Sequence, residues 1–455
     1  MTAKRKKIAP GLVYIASLGC PKNLVDTEVM AGVLVSEGWG LTFSPDDADV
    51  FLVNTCAFIP PAREEASEVL TQVTAWKKQN PRHRKVVVTG CLVQWEHMER
   101  FHNEFPAVDL WAGIDEIPSI GKIMKNLVNG KIADRRIMCS CDPMFIYDDE
   151  MPRLKLTLPH VAYIKICDGC DNRCSYCAIP NIRGDLRSRP IDSIIREAHN
   201  LLEGGARELL VMAQDTTAFG MDNDRGESFA KLLRELDQIN GDHWLRVLYT
   251  HPAHFNDKVI DVFNSSKHLL PYIDIPLQHI SENILSRMGR LISGADTRKL
   301  MTKIRKEIPD MAVRTTFITG FPGETEDNYK ELKDFAAEQQ FERLGVFAFY
   351  PEPGTPAADF EDQVPHEVAE QRAAEIMQQQ AKISLNFNQG LVGTTFDVII
   401  DFIEKDKAVG RTYMDAPEID NVVMLPDAAN LQAGDFCKAK ITAATEYELT
   451  AKVVD

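Results

Sequence analysis

The sequence predicts an α/β protein with three parts: a parallel α/β domain, a partial six-unit βα barrel resembling a TIM barrel, and a small all-β barrel. The first two parts are predicted by an alternation of apolar runs with segments of helical periodicity. This alternation is found over residues 12–89 and again over residues 161–349. From about residue 394 short apolar runs punctuated by glycine and proline replace this alternation. The chain has 455 residues, a length that accommodates about two to four domains.

The N-terminal part alternates strands with helices, which predicts a parallel sheet with helices on its faces. Three strands and two intervening helices are predicted, in the order Leu12–Leu18, Val25–Glu37, Asp49–Asn54, Ala62–Lys78 and Lys85–Thr89. Open α/β sheets bind ligands beyond the carboxyl ends of their strands. Cys20, Cys56 and Cys91 each follow a predicted strand by two residues. We therefore expect these three cysteines to lie close together in space.

The middle part repeats the strand–helix pattern with more units. Six apolar runs predict its strands: Val161–Ile166, Glu208–Ala213, Trp244–Tyr249, Tyr272–Ile275, Ala312–Ile318 and Leu344–Phe349. Six βα units predict a barrel that is incomplete relative to the eight-stranded form, with its active site at the carboxyl ends of the strands. A long helix, His366 to Asn386, follows the last strand.

The C-terminal part has the sequence pattern of an all-β barrel, short apolar or alternating runs separated by turns. Its predicted strands are Phe396–Ile403, Lys407–Arg411, Val422–Leu425, Phe436–Ala443 and Glu448–Val454. The resulting domain limits are 1–134 for the N-terminal domain, 135–159 for a linker, 160–387 for the barrel with its connecting helix, and 388–455 for the all-β domain.

The strongest chemical signal is a group of three cysteines, Cys170, Cys174 and Cys177, with gaps of three and two residues. Three thiolates cannot complete the usual four-cysteine ligand set, but they fit a 4Fe–4S cluster with one iron left open. The alternative is a zinc site in which Cys167 is the fourth ligand. The gap between the two CxxC pairs is too short for two separate zinc knuckles, which favours the cluster.

This CxxxCxxC motif after a first barrel strand resembles the radical S-adenosylmethionine superfamily. The resemblance implies that the open iron binds the amino and carboxylate groups of S-adenosylmethionine. It also implies contacts to the cofactor from the motif itself, from a glycine turn before the second strand, from the end of that strand, and from a Gly-Phe-Pro-Gly loop after the fifth strand. The expected cofactor-binding residues are Tyr176, Gly204, Gly205, Glu208, Gln214, Gly320 and Gly323.

The second group of cysteines, Cys20, Cys56 and Cys91, also has an ordinary interpretation, since unpaired cysteines are often simply buried. Their surroundings, Leu-Gly-Cys-Pro-Lys-Asn, Asn-Thr-Cys and Thr-Gly-Cys, resemble the three cluster-binding turns of the methylthiotransferases. The resemblance extends over nearly the whole chain, in the order methylthiotransferase domain, radical domain and TRAM barrel. It implies a second 4Fe–4S cluster on these three cysteines.

The methylthiotransferases have two branches, one acting on tRNA adenosines and the other on an aspartate of small-subunit ribosomal protein S twelve (uS12). The chain resembles the second branch at three segments: Gln214 to Thr216, Tyr272 to His279 and Asp415 to Asp420. Residues 385–455 contain six Lys/Arg and twelve Asp/Glu, a net charge of −6. An RNA-binding barrel usually has a basic face, whereas an acidic one suits a basic ribosomal protein.

The resemblance implies a radical mechanism in which the Cys170/Cys174/Cys177 cluster cleaves S-adenosylmethionine. The resulting 5′-deoxyadenosyl radical takes a hydrogen from the aspartate β-carbon, and the other cluster delivers a methylated sulfur. An electron donor such as flavodoxin or ferredoxin is then required. Two other hypotheses are a tRNA adenosine methylthiotransferase and, in a different class, a non-catalytic iron–sulfur protein that transfers electrons.

Composition sets the remaining expectations. The net charge of −16 makes nucleic acid, and hence tRNA, a poor default partner. No apolar run approaches the roughly 20 residues that a membrane span needs, and the basic segment Met1 to Lys7 is not predicted to begin a signal peptide. We therefore predict a cytoplasmic enzyme. No role is predicted for the Cys139/Cys141 pair, and Tyr249 is expected in the core.

Overall fold

The computed structural model describes residues 10–95, 97–140, 142–405, 407–426, 428 and 430–454. The segment Met1 to Lys7 and Cys141 lie outside these described residues. None of the helices in the described ranges is both long and apolar enough to span a membrane.

The N-terminal domain is a parallel sheet of six strands, twice the number predicted. Its strands are β1 (Leu12–Ser17), β2 (Gly40–Leu41), β3 (Val50–Thr55), β4 (Lys85–Gly90), β5 (Leu110–Ala112) and β6 (Arg136–Met138). They lie in the order β2-β1-β3-β4-β5-β6. The three unpredicted strands have two or three residues each, too short to give a periodic signal. Because β6 pairs with β5, this sheet extends into the segment that the sequence predicted as linker.

Helices cover this sheet as the alternating pattern predicted. They are α1 (Pro21–Ser36), α2 (Pro60–Gln79), α3 (Cys91–Gln94), α4 (Met98–Glu104) and α5 (Ile120–Val128), with 3₁₀ turns at Pro45–Asp47 and Ile114–Ser119. The whole of β3 is buried, as expected for a strand with helices on both faces of its sheet.

The middle domain contains the six predicted strands and one small antiparallel pair. The strands are β7 (Val161–Lys165), the pair β8 (Cys167–Asp168) and β9 (Arg187–Ser188), and β10 (Glu208–Met212), β11 (Trp244–Val247), β12 (Leu269–Asp274), β13 (Ala312–Thr319) and β14 (Arg343–Ala348). The six long strands are parallel and lie in chain order from β7 to β14. Within the described residues β7 and β14 remain the two edges, so the barrel is incomplete, as predicted.

The helices of this domain pack outside the curved sheet. They are α6 (Ile179–Arg183), α7 (Ile191–Glu203), α8 (Phe229–Asp237), α9 (Asp257–Ser265), α10 (Glu282–Arg287), α11 (Gly294–Glu307), α12 (Glu326–Gln339) and the connecting helix α13 (His366–Gly390). Two more 3₁₀ turns lie at Thr216–Ala218 and Pro356–Asp359. The largest apolar core of the protein lies between these helices and the strands.

The C-terminal domain is a closed five-stranded barrel, as predicted. Its strands are β15 (Thr395–Glu404), β16 (Lys407–Arg411), β17 (Val422–Leu425), β18 (Phe436–Ala444) and β19 (Glu448–Val453). It is held to the middle domain by buried ion pairs at the amino ends of that domain's strands. Glu208 binds Arg246 and Arg411 at 2.7 Å each, and Arg343 binds Asp415 at 2.5 Å.

Candidate active site

All six predicted cluster cysteines line one cavity of about 330 Å³, although three come from each of two domains. Cys20 precedes α1, Cys56 follows β3, and Cys91 begins α3 directly after β4. The other three, Cys170, Cys174 and Cys177, lie in the loop between β8 and α6. The carboxyl edges of two separate parallel sheets therefore face each other across the cavity, each carrying one cysteine triad.

The turn before Cys20 requires a glycine. Gly19 has a φ of +85°, and a Cβ placed there would lie 2.5 Å from the Cβ of Cys56. Any larger residue would push two of the three N-terminal cysteines apart. This close approach is the physical reason for the Gly-Cys pair that the sequence displays.

Burial and mutual proximity shape the acidity of the thiols. Desolvation raises the pKa of Cys56 to about 12, and the neighbouring Cys91 and Cys20 raise it further. Desolvation, followed by the charge of Cys174, likewise raises the pKa of Cys177 to about 12. These thiols are protonated near pH 7, so a metal must displace their protons to bind. Three soft sulfur ligands in a set fit an iron–sulfur cluster with one open iron.

An arginine contacts each triad. Arg183 is only 2% exposed, and its guanidinium lies 3.3 Å from the sulfur of Cys91. Arg290 lies 3.7 Å from the sulfur of Cys174 and donates to the carbonyl oxygen of Pro276 at 2.8 Å. Cationic donors beside sulfur ligands stabilise negative charge there, so these residues would tune any bound cluster.

Polar side chains in the cavity wall fit a polar cofactor. Four buried atoms of cavity-lining residues have no hydrogen-bond partner among the described residues: Gln214 Oε1, His251 Nε2, Gln278 Oε1 and Arg290 Nε. A buried polar atom without a partner is costly, and a ligand that supplies partners relieves that cost. The amino, carboxylate and hydroxyl groups of S-adenosylmethionine offer such partners.

An acidic and histidine cluster adjoins the Cys170 loop. Asp215 accepts hydrogen bonds from Asn172 at 2.7 Å and from His254 at 2.8 Å. Although desolvation opposes ionisation, the hydrogen bond from His254 and the charge of His251 lower the pKa of Asp215 to about 2. Burial lowers the pKa of His251 to about 3, so its imidazole is neutral near pH 7. The cluster orients the cavity wall beside the cysteine motif.

Of the predicted cofactor residues, Tyr176 and Gln214 line the cavity and the other five do not. Glu208 lies at the opposite end of its strand, where both carboxylate oxygens are bound by arginines. Gly204 and Gly205 precede this strand at the same end. The carboxyl ends of the strands form the ligand side of the barrel, so these three predictions are corrected by the topology.

The Gly-Phe-Pro-Gly loop serves packing in this structure. A Cβ at Gly320, whose φ is +72°, would lie 2.1 Å from the Cβ of Ala369 in α13. A Cβ at Gly323 would lie 2.7 Å from the carboxylate of Asp362. The two glycines permit close approach of neighbouring chain, and neither is among the residues that line the cavity.

Five residues of the cavity wall were not among the predicted site residues. Lys22, Arg183, Tyr249, Gln278 and Arg290 all line the cavity. Tyr249 packs against the apolar core and also lines the cavity, where its ring faces the ammonium of Lys22 at 3.3 Å. Lys22 had a usable clue in its place two residues after Cys20, and Gln278 lies within the branch-specific segment Tyr272 to His279. Arg183, Tyr249 and Arg290 come from loops and helices whose contribution depends on tertiary folding.

Cys167, the fourth ligand of the zinc alternative, is fully buried and is not among the residues that line the cavity. The three-cysteine ligand set therefore does not include Cys167.

Two of the branch-specific segments contact each other, since the Tyr272 hydroxyl donates to Asp420 at 2.7 Å. These segments join the barrel to the C-terminal domain, whereas Gln214 adjoins the cysteine loop.

Comparison with known families agrees with the three-part architecture. Residues 12–113 match the uncharacterized protein family UPF0004, residues 164–336 match the radical SAM superfamily, and residues 392–454 match the TRAM domain. The radical S-adenosylmethionine superfamily implies one 4Fe–4S cluster and S-adenosylmethionine as cofactors.

Two relatives illustrate the full-length similarity. The chain is 41% identical over 451 residues to the ribosomal protein uS12 methylthiotransferase RimO of Trichlorobacter lovleyi, covering 98% of this chain and 99% of that protein. It is 42% identical over 464 residues to the RimO protein of Akkermansia muciniphila, covering 97% and 100%. Among solved structures, the radical S-adenosylmethionine methyltransferase TsrM of Kitasatospora setae has a similar fold. Its TM-score is 0.56 at 16% identity, covering 79% of this chain and 78% of that one.

Proposed function

Because the chain belongs to the family of ribosomal protein uS12 methylthiotransferases, we propose that it adds a methylthio group to the β-carbon of an aspartate in uS12. The observation that carries the proposal is that both cysteine triads line one cavity. A substrate side chain in that cavity lies within reach of a radical source on one side and a sulfur source on the other.

The proposal assigns Cys170, Cys174 and Cys177 to the cluster that cleaves S-adenosylmethionine, and Cys20, Cys56 and Cys91 to a second cluster. When bound, the first supplies the electron that generates a 5′-deoxyadenosyl radical, and the second supplies the sulfur. An unactivated C–H bond has no acidic proton, which is why the reaction needs a cofactor radical.

The chain's own residues prepare the cavity for this chemistry. Phe58, Ile179, Pro180 and Pro276 provide apolar wall between the two triads. Such a wall limits water around a reactive intermediate. The unpartnered atoms of Gln214 and Gln278 are available to hold the cofactor's polar groups. The buried Arg183 and the partly buried Arg290 balance negative charge at the two triads.

Charge supports a protein substrate over tRNA, the second candidate. The C-terminal domain region, residues 385–455, carries a net charge of −6. An RNA phosphate backbone would be repelled by such a surface, whereas a basic ribosomal protein would be attracted. We further propose that the electron donor is a flavodoxin or ferredoxin and that the enzyme works in the cytoplasm, where ribosomal proteins are available.

The substrate is tested by competition under anaerobic conditions. The reconstituted enzyme, S-adenosylmethionine and a reductant are offered uS12 and unmodified tRNA together, and mass spectrometry measures methylthio addition to each. We expect addition to an aspartate of uS12. Addition to tRNA alone would overturn the choice of substrate, and the absence of both products together with the absence of cofactor cleavage would favour a non-catalytic iron–sulfur protein.

The two-cluster assignment is tested by iron content. Two 4Fe–4S clusters give about eight irons per chain, and Cys20→Ala should reduce this to about four. Cys437→Ala is the matched control, because Cys437 is a partly exposed cysteine in strand β18, outside the cavity. Equal iron in Cys20→Ala and Cys437→Ala would contradict the second cluster.

A further inference from the structure

The cavity is cationic although the chain as a whole is acidic. Among the described residues its lining contains four cationic side chains, Lys22, Arg173, Arg183 and Arg290, and no carboxylate. The net charge of the whole chain is −16. A concave site lined by one sign of charge concentrates ligands of the opposite sign. The cavity therefore selects an anionic group.

The three arginines are already paired by the protein itself. Their partners are two carboxylates for Arg183 (Asp26 and Asp168), a backbone carbonyl for Arg290 (Pro276), and one carboxylate for Arg173 (Asp185). Carboxylates therefore neutralise Arg183 and Arg173 within the protein. Arg290 keeps an Nε without a partner among the described residues, but it lies 3.7 Å from the sulfur of Cys174 and so belongs to the side of the cavity that carries the Cys170 motif.

Lys22 is different. Its ammonium lies over the ring of Tyr249 at 3.3 Å and makes one long hydrogen bond, 3.4 Å, to the carbonyl oxygen of Ala213. None of the described residues places a carboxylate oxygen within ion-pairing distance of it. An ammonium has three donors, so at least two are unused. Leaving a charge unpaired in a desolvated place is costly, and an anionic ligand would remove that cost.

The ammonium is held at the junction of the two domains. Lys22 lies in the first turn of α1, two residues after Cys20, whereas Tyr249 belongs to the loop after β11. Tyr249 has a φ of +59°, an unusual conformation for an aromatic residue. Its backbone is fixed there by hydrogen bonds to the Asp274 carboxylate at 3.1 Å and from Thr216 at 2.9 Å. Such strain concentrates at functional sites.

We propose that Lys22 binds the side-chain carboxylate of the target aspartate and so positions its β-carbon between the two cysteine triads. The inference rests on the proposed function. A hydrogen bond of about 2.8 Å followed by two covalent bonds places the β-carbon roughly 4–5 Å from the lysine nitrogen. The methionyl carboxylate of S-adenosylmethionine has the same chemistry. The place of Lys22 beside Cys20, on the sulfur-donating side, favours the substrate.

The experiment replaces the charge at nearly constant length. Lys22→Met is compared with Lys22→Arg, which keeps the charge, and with Lys299→Met as a control at a largely exposed lysine. Steady-state kinetics give KM and kcat for uS12 and KM for S-adenosylmethionine. Since a hydrogen bond to a charged group contributes about 1.5–3 kcal/mol, we expect KM for uS12 to rise about 10- to 100-fold in Lys22→Met. Lys22→Arg should recover part of this and Lys299→Met should not differ from the unsubstituted enzyme.

A binding measurement leaves the enzyme's fold untouched. The unsubstituted enzyme should bind uS12 about tenfold or more tightly than uS12 with its target aspartate changed to asparagine. Lys22→Met should bind the two forms equally, because the group that distinguishes them is gone. Iron content equal to that of the unsubstituted enzyme shows that Lys22→Met assembles its clusters.

The outcomes separate the two proposals. Methylthiolation of uS12 with unchanged KM and unchanged aspartate preference in Lys22→Met would overturn the role of Lys22 alone. A raised KM for S-adenosylmethionine with an unchanged KM for uS12 would assign the lysine to the cofactor and overturn it equally. No methylthiolation of uS12 by the unsubstituted enzyme would sink the proposed function and the lysine's role together.

Discussion

Removing Arg183 should destabilise the protein strongly, because its guanidinium neutralises two buried carboxylates. It lies 2.7 Å from Asp26 and 3.2 Å from Asp168, whose side chains are 2% and 0% exposed. Lys165, also fully buried, is the other cation of this network, at 2.5 Å and 2.8 Å from the same carboxylates. The charges of two buried carboxylates and two buried cations therefore neutralise one another in the interior of the protein.

The magnitude follows from this balance. In Arg183→Met the two carboxylates share one lysine, and one negative charge is left uncompensated in the interior. Removing one partner of a buried pair costs about 3–5 kcal/mol, whereas an exposed pair is worth about 0–1 kcal/mol. Desolvation alone would raise the pKa of Asp168, but Lys165 and Arg183 together lower it. The substitution should accordingly raise the pKa of that carboxyl.

Denaturant unfolding of the full chain, prepared anaerobically, measures the loss. Arg196→Met is the control, because the side chain of Arg196 is 59% exposed, whereas that of Arg183 is 2% exposed. The double variant Arg183→Met/Asp26→Asn should regain part of the stability, since it removes the uncompensated charge. A loss in Arg183→Met no larger than that in Arg196→Met would refute the claim that this network is sealed from water.

Two further predictions concern packing and pH. Gly320→Ala should destabilise the protein by about 1–3 kcal/mol, because its Cβ would lie 2.1 Å from that of Ala369. Gly205→Ala, at a position with a positive φ but no atom within 4 Å of the added Cβ, should lose less stability in the same unfolding assay. Equal losses of stability would mean that backbone strain rather than the clash is responsible. Asp215 has its pKa lowered from 3.8 to about 2 in the folded state, so its contribution to stability is present above pH 4 and is lost as the pH falls to 2. The difference in stability between the unsubstituted protein and Asp215→Asn should shrink across that window, and a constant difference would contradict the pKa.

The cysteine pattern and the strand periodicity were sufficient to predict most of the architecture. Three apolar runs, each followed by a cysteine two residues later, predicted the N-terminal sheet and the meeting of Cys20, Cys56 and Cys91 at its carboxyl edge. Parallel strands end at a common edge, so this required no knowledge of packing. Strands as short as β2 and β5 escaped prediction because two or three residues carry no period.

Glycines were the least reliable guide to the site. The sequence cannot distinguish a glycine that admits a ligand from one that admits another part of the chain, because both need only the absence of a Cβ. Gly320 proved to admit helix α13, and Gly205 to form a turn at the wrong end of its strand. Glu208 was misassigned for a related reason, since its partner Arg411 is about 200 residues away in sequence.

The sequence by itself determined the chemistry, because thiolate spacing and strand-end placement are local properties: it predicted two cysteine triads, each on its own sheet. Only the tertiary structure decided that the triads share one cavity, since this depends on how two independent sheets dock. The same docking determines which side chains line the cavity, among them Arg183, Arg290 and Tyr249. This docking also places Lys22 in the shared cavity without a carboxylate partner among the described residues. The neighbours of Lys22 come from both domains, so its own sequence context could not show this.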